Sequence, residues 1–175
     1  MTSMTVLYLK DTRHVLGAVS RTADPPTPPA VADLAPGGIR VRAVPGTSGA
    51  RLDATVEANR LEVATVAVDA SVLADPRSYS VTPGDKPTVD RISPTATATV
   101  TLTAVLAEVT TTSTVDLKVL MVVEKVSGSA PAPLMLTGVL TANKASFPVS
   151  LDKGDWQAVA FVAGRPAAGL RKTIP

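Results

Sequence analysis

The stretch between Thr95 and Lys125 constrains the fold of this chain more than any other. It consists of TATATVTLTAVLAEV, then TTTST, then VDLKVLMVVEK. In the first part threonine alternates with Ala, Val or Leu, a period of two that places the threonines on one face of a β-strand. The last part alternates in the same way, and β-branched residues favour strand over helix. We therefore predict a long antiparallel hairpin, with TTTST as its turn.

Alternating segments recur along the rest of the chain. They are residues 4–20, 39–44, 52–57, 61–68, 134–142, 146–151 and 156–162. Residues 58–68 would also tolerate a helix, but their density of valine favours a strand. A total of about nine to eleven strands, about 8 to 12 residues apart, is typical of a β-sandwich or barrel. Residues 21–38 are rich in proline and cannot pair inside a sheet, so they are interpreted as an ordered connection or arm.

The predicted fold class is therefore all-β, an antiparallel sandwich or barrel with a long central hairpin and a Pro-rich connection. A length of 175 residues suits a single domain spanning the chain. The turn sequence PGDKP begins at residue 83 and allows a subdivision near residues 83–94. An N-terminal β half, 1–82, would then precede a C-terminal β half, 95–175.

Composition limits the possible partners and the chemistry. Aromatic residues make up only 3% of the chain, so the core must be built from small aliphatic side chains, which suits sheets packed face to face. A formal charge of +2, without clustered Lys and Arg, does not indicate a nucleic-acid partner. Because the chain contains no cysteine, disulfides, thiolate metal sites and cysteine nucleophiles are excluded.

The apolar runs are short. Val119 to Val123 is among the longest, well below the length of a membrane-spanning helix, so no membrane span is predicted. Asp11 follows the first short apolar run closely, which argues against a signal peptide. We expect a protein that is cytoplasmic or part of an assembled particle, and the Ala-, Val-, Thr-, Pro- and Arg-rich composition suggests a bacterium or its phages.

No catalytic signature stands out among the titratable residues. His14 is the single histidine, whereas a histidine zinc site usually needs two or more, and we predict a surface or turn residue. Asp85 and Asp90, and likewise Asp152 and Asp155, could serve as carboxylate pairs in glycoside chemistry, but beside Pro and Gly they are more simply turn formers. Weak cation binding at 152–155 is left open. We predict no enzyme activity, no metal and no cofactor.

The candidate interaction surface is made of side chains on the predicted strands. Its members are Thr97, Thr99, Thr101, Thr103, Trp156, Arg40 and Arg42. The threonine ladder resembles the surfaces of β-type ice-binding proteins, but those need several parallel rows where this chain supplies one. A partner-facing or solvent-facing strand surface is the simpler interpretation.

These features favour a non-enzymatic structural or assembly protein. Its protein partners would be further subunits, in a homo-oligomer or a larger phage-tail-like, capsid-like or surface assembly. The predicted contacts are sheet edges, the long hairpin, the Pro-rich arm and a basic C-terminal tail at residues 164–175. The alternative is an immunoglobulin-like or carbohydrate-binding recognition module centred on Trp156.

Overall fold

The computed structural model describes residues 3–20, 29–43, 51–126 and 132–175, and in these residues the fold is all-β, as predicted. The strands are β1 (Ser3–Leu9), β2 (Val15–Ser20), β3 (Ile39–Ala43), β4 (Leu52–Val56), β5 (Leu61–Ala67), β6 (Tyr79–Thr82), β7 (Thr88–Arg91), β8 (Ala98–Leu102), β9 (Leu106–Thr111), β10 (Leu117–Lys125), β11 (Leu134–Leu140), β12 (Lys144–Pro148), β13 (Gly154–Val162) and β14 (Ala168–Ile174). Two short helices, α1 (Val31–Leu34) and α2 (Ala70–Ala74), and 3-10 turns at Ala58–Arg60 and Pro76–Ser78 complete the regular structure.

The strands form five antiparallel sheets. Their orders are β11-β10-β13-β14, β12-β9-β8, β2-β1-β5, β3-β4 and β6-β7. None of these sheets closes on itself within the ranges that the structure covers, which favours the sandwich over the barrel. Most residues of the predicted strands at 39–44, 52–57 and 61–68 lie in β3, β4 and β5, which confirms those predictions.

The four-stranded sheet is the centre of the fold and is covered on both faces. Val119 to Val123 on β10 and Trp156 to Val162 on β13 are all buried. Alternate residues of β10 and β13 enter two different cores, one shared with β8, β9 and β12, the other with β1, β3 and β4. A continuous apolar run is the sequence pattern of a strand that is buried on both sides.

Strand β1, the first arm of the N-terminal hairpin, is also buried on both faces, as its two-sided hydrophobicity predicted. Strand β1 pairs with β2 and β5. On its far side, Met4, Val6 and Tyr8 pack in a third core with Val72 of α2 and Val81 of β6. The sheets and this outer helix therefore pack as successive layers.

The long central hairpin predicted over residues 95–125 is not formed. The chain reverses at Thr103, inside the predicted first arm, so that β8 pairs with β9. The Thr103 hydroxyl accepts hydrogen bonds from the Val105 and Leu106 amides, and the Thr103 amide donates to the Leu106 carbonyl at 2.8 Å. Such local hydroxyl-to-backbone bonds favour a turn over a continuous strand.

Strand β10 belongs to the central sheet and pairs with β11 and β13, not with β9. The TTTST segment therefore crosses between two sheets instead of closing a hairpin. Ser113 is buried, and its side chain exchanges hydrogen bonds with the backbone of Val115, which fixes this crossing. The pattern shared by the two arms was misleading, because β8 and β9 are buried on alternate residues whereas β10 is buried on consecutive ones.

Sequence reasoning predicted a basic tail at the C-terminal end and an ordered connection or arm in the Pro-rich segment. The predicted basic tail, 164–175, contains β14, which pairs with β13 along its length. The described part of the Pro-rich connection contains α1 and the buried Ala35, while residues 21–28 lie outside the described residues. The sequence did not predict α2, which begins after Asp69, whose carboxylate accepts a hydrogen bond from the Ser71 amide at 2.7 Å.

The two halves on either side of residues 83–94 share a core. Leu52 and Val56 from the first half pack in the same cluster as Leu120 and Phe161 from the second. Gln157 adds a polar connection, because its amide donates to the Asp53 carbonyl and, at 2.7 Å, to the buried Glu124 carboxylate. The proposed subdivision stays a prediction.

Candidate functional site

Strand β11 forms one edge of the central sheet. It pairs with β10 on its inner side, and the part of the chain that the structure describes places no strand on its outer side. Its sequence, LMLTGVL, contains neither a charged residue nor a proline. Leu134 and Val139 are 37% and 49% exposed, and no other described strand contains two exposed large apolar residues.

Some other edge strands contain charged residues or a proline. The opposite edge of the same sheet, β14, includes Arg171 and Lys172, and β12 includes Lys144 and Pro148. Charged residues and prolines on an edge strand disfavour pairing with a further strand. Strands β2, β6 and β8, which are shorter than β11, resemble it in having neither a charged residue nor a proline. However, β2 and β6 lie together at a backbone bridge between His14, which precedes β2, and Ser80 on β6. Strand β8 exposes threonines instead of large apolar side chains.

The predicted threonine row lies on the outer face of the β12-β9-β8 sheet. Thr99 and Thr101 are exposed on β8, and Thr97 and Thr103 are exposed just outside it. Glu108 on β9 lies beside this row, where it accepts hydrogen bonds from Thr101 and Ser146 and pairs with Lys144 at 2.5 Å. The Lys144 ammonium group is the main reason why the pKa of Glu108 is lowered. The face is polar and its charged groups are already paired.

The remaining members of the candidate surface lie on two other strands, Arg40 and Arg42 on β3 and Trp156 on β13. Arg40 and Arg42 are exposed on β3, and both contact the Asp53 carboxylate, at 3.8 and 3.1 Å. Trp156 is only 3% exposed, because its ring packs in the core and its Nε1 donates to the Asp152 carbonyl at 2.9 Å. Trp156 therefore presents no aromatic surface to a partner, contrary to the expectation from sequence.

His14 is buried and does not lie at the surface as predicted, although it does follow a turn. It contributes to a cleft of about 240 Å³ that is also lined by Arg42, Arg77 and Phe161. Its Nε2 lies 2.6 Å from the Arg165 carbonyl oxygen, and its Nδ1 lies 3.0 Å from the Thr12 hydroxyl. Because a carbonyl oxygen only accepts hydrogen bonds, Nε2 carries the proton and Nδ1 accepts from Thr12.

This environment holds His14 in its neutral form. Burial lowers its pKa to about 4, although the contacts with Arg165 and Thr12 act in the opposite direction. Both ring nitrogens are engaged in hydrogen bonds within the protein, so neither is free to bind a ligand or move a proton for one. The histidine thus stabilises the junction between the first hairpin and the loop that precedes β14.

Three of the four acidic residues weighed as catalytic pairs each have a different hydrogen-bond partner. Asp152 contacts Lys125 at 2.6 Å, and a hydrogen bond from Lys125 lowers its pKa. Asp155 accepts a hydrogen bond from Thr173 at 2.6 Å, which is the main cause of its lowered pKa. In the other pair, Asp90 accepts from Thr82 at 2.7 Å across the β6-β7 hairpin, while Asp85 is exposed in its turn.

Within the described ranges, no cluster of three or more His, Asp or Glu side chains could hold a metal ion. Over the same ranges, no helix has the length and apolar character needed to cross a bilayer. The structure thus defines an all-β protein of stacked antiparallel sheets. No family model, no curated protein and no solved structure shows a significant match to the chain.

Sequence reasoning identified β11 as a strand but did not include it in the candidate surface. A usable signal was present, since residues 134–140 lack any charge or proline. What the sequence did not show was the position of this strand in the sheet, because strand order depends on pairing between distant segments and not on the composition of one strand.

Proposed function

We propose that this protein is a non-enzymatic structural or assembly protein that joins further subunits through a sheet edge. The observation that carries the proposal is the β11 strand, which has seven residues and no charge or proline. An edge strand of this kind presents unpaired backbone donors and acceptors, which another strand can satisfy. Phage-tail-like, capsid-like and surface assemblies are the classes of particle that such contacts suit.

Two contacts expected from sequence do not support this function. The long hairpin is not formed, and the C-terminal segment is committed to the central sheet as β14. The proposal therefore rests on the β11 edge, with the threonine face of β8 and β9 as a second, polar surface. The engaged nitrogens of His14 and the separately paired Asp152 and Asp155 support a role without catalysis.

A recognition module of the immunoglobulin-like or carbohydrate-binding sort is the alternative. Sugar recognition commonly uses exposed aromatic rings. Trp156, Tyr8 and Phe161 are buried, and Tyr79 and Phe147 are partly buried, so the structure offers no exposed ring that would favour this alternative. We therefore rank it below assembly.

The mass of the purified protein in solution tests the proposal. Light scattering coupled to chromatography, over a concentration series, is expected to give a mass that rises above the 17.9 kDa of one chain. A constant mass of one chain up to the highest soluble concentration would contradict the assembly function.

A further inference from the structure

We propose that β11 pairs with β11 of a second copy of this chain, antiparallel and centred on Thr137. This inference rests on the proposed assembly function and names its first contact. The two central sheets would then join into one continuous sheet of eight strands, four from each copy. Such a contact is isologous, so it closes after two copies and provides a dimeric building block.

The sequence of β11 is compatible with itself in this register. Thr137 meets its own counterpart, and two threonines across an antiparallel pair form a favourable side-chain contact. Leu134 pairs with Leu140, Met135 with Val139, and Leu136 with Gly138, so a large side chain faces a small one at the last pair. No like charges meet, because the strand has none. Self-pairing of β14 would be different, since it would bring Arg171 and Lys172 close to their counterparts.

The second copy would also cover apolar surface that the chain leaves exposed. Met135, Thr137 and Val139 share one face of β11, because they pair with Val122, Leu120 and Lys118 of β10. The layer formed by β3 and β4 does not bury the outer part of this face, where Thr137 and Val139 are exposed. In the antiparallel pair the same three residues of each copy would form one continuous row.

A single introduced cysteine tests this register, because the natural chain has none. In Thr137→Cys the two thiols of a dimer lie directly opposite each other, at a Cα separation of about 4.5–5.5 Å, within the range of a disulfide. Oxidised glutathione would link them by accepting the two electrons and two protons that the thiols lose. Val139→Cys is the matched control on the same strand, since residue 139 faces residue 135 and not itself. Thr99→Cys is the control on the threonine face.

The expected result is a cross-linked dimer of Thr137→Cys that forms at least about ten-fold faster than those of both controls, because pairing raises the effective thiol concentration. Equal rates for Thr137→Cys and Val139→Cys would overturn the register. Faster linkage of Thr99→Cys would overturn it as well, and would transfer the contact to the threonine face.

Light scattering on each reduced variant separates this failure from failure of the assembly function. Oligomers without preferential linkage at residue 137 would reject only the β11 pairing. A single-chain mass at every concentration would reject both. Matching urea unfolding curves of the three variants and the natural protein would establish that the cysteines leave the fold intact.

Discussion

Strands β10 and β11 are neighbours in one sheet and have similar apolar sequences, LKVLMVVEK and LMLTGVL. Their surroundings differ. Strand β10 has a partner strand on each side and a packed layer on each face, and Val119 to Val123 are at most 1% exposed. In the described structure, β11 has a strand on one side only, and its Val139 is 49% exposed. The same residue types are thus buried in the core in one strand and partly exposed in the other.

This comparison shows that position in the sheet decides what an apolar strand contributes. Removing apolar surface from water stabilises folding when the cover belongs to the same chain and association when it belongs to another. Substitutions in β10 should therefore change the free energy of unfolding. Substitutions at exposed positions of β11 should change the mass in solution.

Truncation in β10 should have the largest effect on stability. Met121 is fully buried between β11 and β13, so Met121→Ala leaves a cavity in the packed core. The expected loss of unfolding free energy is about 2–5 kcal/mol, measured by urea denaturation. Val115→Ala is the control, because Val115 is 63% exposed and its truncation should cost less than about 0.5 kcal/mol. Equal losses in the two variants would contradict the burial of β10.

Lowering the pH should reduce the unfolding free energy through the interior of the protein, where His14 packs against Phe161 of β13. It should not act directly on the edge strand β11, which has no titratable side chain. The pKa of His14 is about 4 in the folded protein and about 6.5 when unfolded. Between these values the unfolded chain binds the extra proton, so stability is complete above pH 6.5 and falls as the pH approaches 4. This shift corresponds to about 3 kcal/mol.

Urea denaturation at a series of pH values measures this loss. In His14→Gln the part of the loss that occurs between pH 6.5 and 4 should disappear, even though the variant is less stable at neutral pH. The same slope in the natural protein and the variant would show that another group is responsible.

Much of the fold was predictable from local pattern. The all-β class and the N-terminal hairpin follow from period-two alternation, because alternation depends only on neighbouring residues. The pairing of strands was less predictable, because it depends on distant parts of the chain. The chain reverses at Thr103, where the hydroxyl of Thr103 accepts a hydrogen bond from the Leu106 amide. No Gly or Pro marks this turn in the sequence.

The candidate surface was predictable only in part, for a related reason. Exposure of Thr99 and Thr101 follows from their alternation with apolar residues on β8. Burial of Trp156 depends on the layer packed above β13, which no local pattern specifies. The open edge at β11 is likewise a property of the sheet order and not of the strand itself.

Thr137→Lys should have the smallest effect on stability and a clear effect on association. Thr137 is exposed, so the substitution should change the unfolding free energy by less than about 0.5 kcal/mol. In a pair of β11 strands, however, it would bring two like charges together at the centre of the contact. Thr99→Lys makes the same chemical change at an exposed position of β8.

Sedimentation equilibrium of the natural protein, Thr137→Lys and Thr99→Lys at matched concentrations tests the central claim most directly. We predict that the natural protein and Thr99→Lys associate equally, and that Thr137→Lys associates at least about ten-fold more weakly, because like charges oppose each other across the contact. Equal association of Thr137→Lys and the natural protein, or a loss confined to Thr99→Lys, would contradict the claim that β11 is the assembly edge.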